Sequence, residues 1–94
     1  MRRVVIECRG LANTDEFWQR YLDAARPADA DSFGRNLDAF WDALAGGPGW
    51  PGDCVLVFQQ SDALGNLRAS DGGSLLEALR RLCEESPPVP IELR

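Results

Sequence analysis

The chain has 94 residues, 45% of them hydrophobic and 27% charged, and its 15 acidic and 10 basic residues give a formal net charge of −5. These figures fit one compact globular domain over residues 1–94, and they exclude a disordered or multidomain chain. No apolar run approaches the ~18–20 residues of a membrane span, and the start of the chain lacks the pattern of a signal peptide, so we expect a cytoplasmic protein without membrane contact.

The first part of the chain predicts one strand and one helix. Residues 3–9 are β-branched at their centre, which is typical of a strand. A helix should follow, with Asn13 as its N-cap and Glu16 completing a capping box, and the Arg-Pro pair at 26–27 should end it. Its apolar positions share one helical face: Phe17, Tyr21, Leu22 and Ala25. Residues 28–32 read as a polar linker.

A second helix should begin after Asn36, whose side chain can cap it, and end in the glycine- and proline-rich residues 45–49. Its apolar residues form a stripe of helical period: Leu37, Phe40, Trp41 and Leu44. The stripe predicts that Trp41 packs mainly in the core, with at most one edge exposed.

Residues 54–58 form the one unbroken apolar run, which is too short for a helix and predicts a strand covered on both faces in the middle of a parallel sheet. Residues 59–67 leave room for a short helix. Ser74 and Glu77 form a second capping box, and the helix that follows should bury one apolar face. That face comprises Leu75, Leu76, Leu79, Leu82 and Cys83.

Two prolines at 87–88 end this last helix, and residues 89–93 alternate as a strand. Because Pro90 cannot donate to a ladder, that strand belongs at an edge of the sheet. The predicted fold is therefore α/β: a three-stranded parallel sheet with right-handed crossovers and three to four helices packed on it.

Most catalytic and metal chemistry is excluded by composition. The chain contains no histidine, so it cannot build a Ser-His-Asp, Cys-His or histidine-metal site. Cys8, Cys54 and Cys83 lie far apart, which predicts three reduced core thiols and excludes a Cys-x-x-Cys site for zinc or redox work. No phosphate-binding glycine loop is present. We expect no enzyme activity, no cofactor and no metal.

The net negative charge indicates which classes of partner the protein can bind. A nucleic-acid-binding protein needs a cationic footprint, which a chain with a pI of about 4.5 lacks overall. A basic protein is a more natural partner. Ordinary surface charge that keeps a small protein in solution is the alternative interpretation.

The second helix carries two aspartates, Asp38 and Asp42, one turn apart on its solvent-facing flank. They repel each other by ~0.2–0.5 kcal/mol; the helix dipole favours Asp38 in the first turn, but Asp42 has no such local reason. An ordinary solvated face explains them most simply. A glycosidase-like carboxylate pair would need a pocket that nothing in the sequence implies. A protein-binding patch also fits, because glycine- and proline-rich loops and Trp50 border the helix.

Residues 32–44, SFGRNLDAFWDAL, resemble the signature of the barstar family of ribonuclease inhibitors. The family pattern is aromatic-Gly-x-Asn-hydrophobic-Asp-Ala-hydrophobic-Trp-Asp-x-Leu, and every fixed position is met. The element order and the length also agree with that family. The resemblance implies an intracellular inhibitor, monomeric when free, that forms a 1:1 complex with a secreted, basic, guanyl-type microbial ribonuclease. It would insert this helix and the loop before it into the enzyme's cationic active site.

The resemblance also implies roles for particular residues. Asp42 would occupy the phosphate-binding pocket of the enzyme, and Asp38 would engage its cationic rim. Further positions align at or beside the contact surface: Asn36, Leu37, Trp41, Ala45, Gly46 and Glu85. By the same resemblance, a cis bond between Trp50 and Pro51 is an alternative to the trans bond that we expect, since only ~5–6% of X-Pro bonds are cis.

Three departures from the family leave the target open. Ser32 stands where the family has a tyrosine, Gly47 where it has a tryptophan, and Arg81 where it has a glutamate. A toxin domain of related charge is therefore an alternative target. A barstar-like interaction module with a non-ribonuclease partner is an alternative function, and a homo-oligomeric structural domain would require an apolar patch that the sequence does not reveal.

Overall fold

The computed structural model describes residues 2–69 and 72–94. Within them the chain forms three strands, three α-helices and two 3₁₀ helices. In chain order these are β1 (Arg2–Glu7), α1 (Thr14–Ala25), the 3₁₀ helix Ala30–Ser32, α2 (Leu37–Leu44), β2 (Cys54–Gln59), the 3₁₀ helix Ser61–Asn66, α3 (Leu75–Glu84) and β3 (Ile91–Leu93). The strands form one parallel sheet in the order β1-β2-β3. The predicted α/β fold is confirmed, with β2 in the middle and the proline-preceded β3 at an edge.

Helix starts follow the local signals of the sequence. Asn13 Oδ1 accepts the backbone N–H of Glu16 over 2.9 Å, and Asn36 Oδ1 accepts that of Ala39 over 2.8 Å. Ser74 caps α3 in the same way. Each side chain satisfies a backbone donor that the first helical turn leaves without a partner, which fixes where the helix begins. All three predicted N-caps are confirmed.

The core lies on one face of the sheet. The strands contribute Val4, Ile6, Cys54, Leu56 and Phe58 to it, and the buried faces of all three α-helices join the same cluster. Phe40 of α2 is fully buried and packs against the rings of Trp18, Tyr21 and Phe58, with centroids 5.4, 5.2 and 6.4 Å away. Burying such a ring stabilises the fold by roughly 1.5–3 kcal/mol, so α2 is held firmly on the core.

The second face of the sheet is also covered at the middle of β2, as expected, but by something other than the core cluster. Val57 is 0% exposed, yet it lies outside the core cluster. An ion pair between Arg3 of β1 and Glu92 of β3, 3.3 Å apart, crosses this face of β2. Val57 lies between Val5 of β1 and Glu92 of β3 in the sheet register, on the face opposite the helices.

The cysteines are only partly as predicted. All three thiols are free, and Cys8 and Cys54 are buried in the core, but Cys83 on α3 is half-buried. Burial raises the pKa of Cys8 to about 12, and the neighbouring Glu7 carboxylate adds to that rise. No helix in the described part of the chain has the length and apolar character needed to cross a membrane.

Candidate partner-binding site

The helix α2 presents both aspartates of the predicted site to solvent. Its buried residues are Phe40, Ala43 and Leu44, whereas Asp38 and Asp42 are exposed. At about 100° per residue, both aspartates point roughly 150–170° away from the centre of the buried face. They therefore stand on the side of the helix that faces away from the core.

No cation among residues 2–69 and 72–94 pairs with these carboxylates. Arg35 comes just before α2, but its backbone is left-handed, with a φ of 55°, and its guanidinium bonds Asp15 over 2.8 Å and also Gln19. These contacts hold it against α1. Among the residues that the structure describes, neither the Asp38 nor the Asp42 carboxylate forms a hydrogen bond or an ion pair. The two negative charges are available to a partner.

Trp41 corrects the sequence-based expectation, because it is 38% exposed and lies outside the core cluster. At 100° per residue, the stripe of four apolar residues predicted from the sequence has its centre near Leu37. The buried face of α2 in the structure is instead centred between Phe40 and Ala43. Small Ala43 is fully buried, and this turns the helix so that Trp41 lies at the border of the buried face. An exposed tryptophan beside two aspartates is typical of a protein-binding surface.

A groove of about 610 Å³ runs between α2 and α3. It brings together four of the predicted site residues: Leu37, Asp38, Trp41 and Glu85. Four further residues line it that were not predicted as site residues: Ala78, Arg81, Leu82 and Glu84. Its lining combines apolar side chains with three carboxylates and the Arg81 guanidinium. The spacing 78, 81, 82 and 85 on one helical face is the signal that could have identified the α3 side of the groove.

Asn36 is exposed at the start of α2, as expected of a contact residue, but its amide is engaged in the fold. Its Oδ1 caps the helix, and its Nδ2 donates to the carbonyl of Gly34 over 3.2 Å. Its role within the chain is to set the first turn of α2, and with it the position of Asp38.

The other predicted residues, Ala45 and Gly46, are exposed at the C-terminal end of α2, away from the groove. There the chain turns back on the helix, and the N–H of Gly47 donates to the Asp42 carbonyl over 2.8 Å. A Cβ built on Gly47 would lie 2.9 Å from that oxygen. The conformation of this loop therefore excludes any side chain at the position where the family has a tryptophan.

The loop is anchored at Gly49, a contact that the sequence did not reveal. The Tyr21 hydroxyl donates to the Gly49 carbonyl over 2.7 Å, and the Gly49 N–H donates to Asp29 Oδ1 over 2.9 Å. Only glycine fits, because φ is 92° and a Cβ would lie 2.6 Å from the Phe33 ring. Burial, with smaller contributions from neighbouring acidic groups, raises the pKa of Tyr21.

Trp50 follows this anchor and is 43% exposed. The peptide bond between Trp50 and Pro51 is trans, since the described residues contain no cis bond. The chain therefore has the trans bond that most X-Pro pairs adopt, and not the cis alternative that the family resemblance raised.

The arrangement can accept hydrogen bonds from cationic groups of a partner, because two carboxylates stand on a capped helix and no cation in the described part of the chain pairs with them. Within residues 2–69 and 72–94, no three histidine, cysteine, aspartate or glutamate side chains come close enough to hold a metal ion. The surface therefore has the chemistry of a docking face for a basic protein.

Comparison with known proteins agrees with this geometry. No curated protein matches the sequence. A protein-family model described as "Barstar (barnase inhibitor)" matches residues 1–93, essentially the whole chain. The chain belongs to the barstar family.

Proposed function

We propose that this chain, as one domain over residues 1–94, is a cytoplasmic inhibitor of a secreted, barnase-like microbial ribonuclease, and that it protects a bacterial cell from that enzyme. It binds one enzyme molecule, without turnover and without a cofactor. One observation supports this most directly: Asp38 and Asp42 stand exposed on α2, and no cation of the described chain pairs with them. Membership of a family described as barnase inhibitors supports the choice of a ribonuclease as partner.

The inhibition follows from what a ribonuclease needs. Its active site must gather positive charge to bind the phosphates of RNA, and a carboxylate on a rigid helix can occupy the place of a phosphate. Asp42 is suited to this, because Phe40 anchors the helix from below while Asp42 projects from the opposite side. A cationic pocket also relieves the repulsion between Asp38 and Asp42, which the free protein retains.

The groove beside α2 extends the contact. A lysine or arginine at the rim of the enzyme's active site can lay its methylene groups on Trp41 and Leu37 and place its charge near Asp38. Glu84 and Glu85 add negative charge at the α3 border of the groove. Arg81 stands where the family has a glutamate, so this side of the surface has less negative charge than the family pattern implies. Glu84 and Glu85 restore part of that charge.

Titration against enzymes tests the proposal. The protein is added to RNA-cleavage assays of several small basic microbial ribonucleases, and we expect one of them to lose activity in proportion to added protein until a 1:1 ratio is reached. Asp38→Ala and Asp42→Ala should weaken this inhibition. Asp62→Ala removes an exposed carboxylate from the 3₁₀ helix Ser61–Asn66 and should leave it unchanged.

Two results would contradict the proposal. If no ribonuclease is inhibited, the chain is an interaction module with another partner. If both α2 variants inhibit as tightly as the wild-type protein, the carboxylates do not occupy the active site, and the mechanism is wrong even though the partner is right.

A further inference from the structure

We infer that the enzyme bound by this chain carries a carboxylate beside its cationic active site, and that a cleft formed by Arg2, Arg26 and Trp50 receives this group. The inference rests on the proposed function, because it concerns the same partner. It assigns a role to a second, positively charged part of the surface that lies beside the acidic helix.

The cleft has a volume of about 460 Å³ and adjoins the C-terminal end of α2, where Gly46 and Gly47 form part of its lining. The Arg2 guanidinium donates to the carbonyl of Pro51 over 2.6 Å, which holds it at the turn after Trp50. The Trp50 indole, 43% exposed, forms one wall. An aromatic wall with guanidinium groups beside it suits a planar anionic group.

An enzyme that encloses Asp42 must also cover the mouth of this cleft. A Cβ built on Gly47 would lie 3.5 Å from Asp42 Cβ, so the lining of the cleft begins next to the base of the Asp42 side chain. A protein interface of ordinary size covers ~800 Å² on each partner, far more than one side chain. Because Gly46 and Gly47 have no side chains, nothing at these two positions fills the space between Asp42 and the cleft.

Across the residues that the structure describes, the lining of the cleft carries more positive than negative charge. Among the described residues, neither Arg2 nor Arg26 forms an ion pair. Asp29 is the one carboxylate in the lining, and its Oδ1 accepts the N–H of Gly49. Two guanidinium groups against one carboxylate leave an excess of one positive charge in the lining of the cleft.

Covering an uncompensated guanidinium group removes it from water, which is costly unless the partner supplies an acceptor. One carboxylate on the enzyme balances the cleft. The binding surface then has a negative centre on α2 and a positive border at Arg2 and Arg26. This chain would distinguish between basic ribonucleases by whether an acidic residue stands at the matching place, because an enzyme without one leaves the border charge unpaired.

Charge reversal at the cleft tests the inference on the ribonuclease that the wild-type protein inhibits. Arg26→Glu is the main variant, since Arg26 is exposed and its side chain makes no hydrogen bond in the described part of the chain. Arg2→Gln removes the second charge and keeps a donor for Pro51. Arg9→Glu is the control: it makes the same charge change at an exposed residue beyond the opposite end of β1.

We expect Arg26→Glu to weaken inhibition by at least about tenfold, mainly through faster dissociation, and Arg9→Glu to change it by less than about twofold. Replacing the matching enzyme carboxylate with lysine should restore binding of Arg26→Glu. If wild-type protein inhibits an enzyme and Arg26→Glu and Arg2→Gln inhibit it equally well, the inference is overturned while the proposed function stands. If wild-type protein inhibits no ribonuclease, the proposed function fails and the inference fails with it.

Discussion

The backbone N–H of Gly47 donates to the carbonyl oxygen of Asp42 over 2.8 Å, and a Cβ on Gly47 would approach that oxygen to 2.9 Å. The loop after α2 therefore closes directly on the end of the helix that carries Asp42. Because the close contact is with backbone atoms, no side-chain rotation can relieve it. The position of Asp42 and the path of the loop are thus coupled.

Gly47→Ala should force the loop and the end of α2 apart. We expect the free energy of unfolding to fall by about 1–3 kcal/mol, the usual cost of placing an extra methyl group where none fits. Urea unfolding measures this fall in the free energy of unfolding. Gly65→Ala is the matched control, because a Cβ there would meet only the Leu76 side chain at 3.9 Å. Equal stability of the two variants would show that the loop is free to move off Asp42.

Tyr21→Phe should loosen the same loop from its other end. The variant removes the hydroxyl that donates to the buried Gly49 carbonyl and leaves that oxygen without its partner. We expect a loss of about 1–3 kcal/mol in the free energy of unfolding. Phe33→Leu, which keeps an apolar group against Gly49 but makes no change to a hydrogen bond, serves as a packing control. An unchanged unfolding midpoint for Tyr21→Phe would mean that the hydroxyl contributes nothing to holding the loop.

The contacts that these two variants address also show where sequence reasoning ends. The helix starts at Asn13, Asn36 and Ser74 could be predicted because each cap is a local contact between residues three apart. The anchor at Gly49 joins residues 20 and 28 positions away in the chain. No periodic pattern encodes such pairs, since they arise only when α1 and the loop are packed on the same core.

The exposure of Trp41 shows a second limit. A stripe of four apolar residues defines a helical face only within several tens of degrees, and α2 has just eight residues. Which edge of the stripe enters the core depends on the neighbouring rings, here those that receive Phe40. The two aspartates could be placed correctly on the outer side because they lie far from the stripe under either orientation. The exposure of a residue at the border of the stripe, such as Trp41, could not be predicted in this way.

Alkaline pH should destabilise the fold. The pKa of the Cys8 thiol is raised from 9.0 to about 12 by burial, with a contribution from Glu7. Between these values the unfolded chain releases the proton and the folded chain keeps it, so stability present below pH 9 is lost as the pH rises towards 12. A single thiol of this kind lowers the free energy of unfolding by at most about 1.4 kcal/mol for each pH unit in this range. Urea unfolding at several pH values should therefore give a shallower decline for Cys8→Ala than for the wild-type protein; parallel declines would contradict the assignment.

Asp42→Ala should change binding and stability in opposite directions. Loss of the carboxylate should weaken the complex by about 2–5 kcal/mol, the range for truncating one member of a buried charge pair. The free protein should gain about 0.5–1 kcal/mol, because the repulsion from Asp38 disappears and alanine favours a helix interior. Titration calorimetry and urea unfolding measure the two effects. A variant that loses stability along with binding would show that Asp42 serves the fold and not the partner.

Ionic strength separates an electrostatic partner from an apolar one. The negative charge that would attract a basic enzyme lies on exposed groups such as Asp38, Asp42 and Glu84. Salt screens such charges: the Debye length is about 30 Å at 0.01 M and about 3 Å at 1 M. The rate of association with the ribonuclease should fall by at least about tenfold across this range, while dissociation changes less. Stopped-flow mixing measures both rates. The double variant Asp38→Asn/Asp42→Asn should show a shallower salt dependence than Asp62→Asn, which loses one charge outside α2. An association rate that does not change with salt concentration would favour the interaction module with a largely apolar partner. Binding would then depend on the apolar residues of the groove between α2 and α3, and not on the carboxylates.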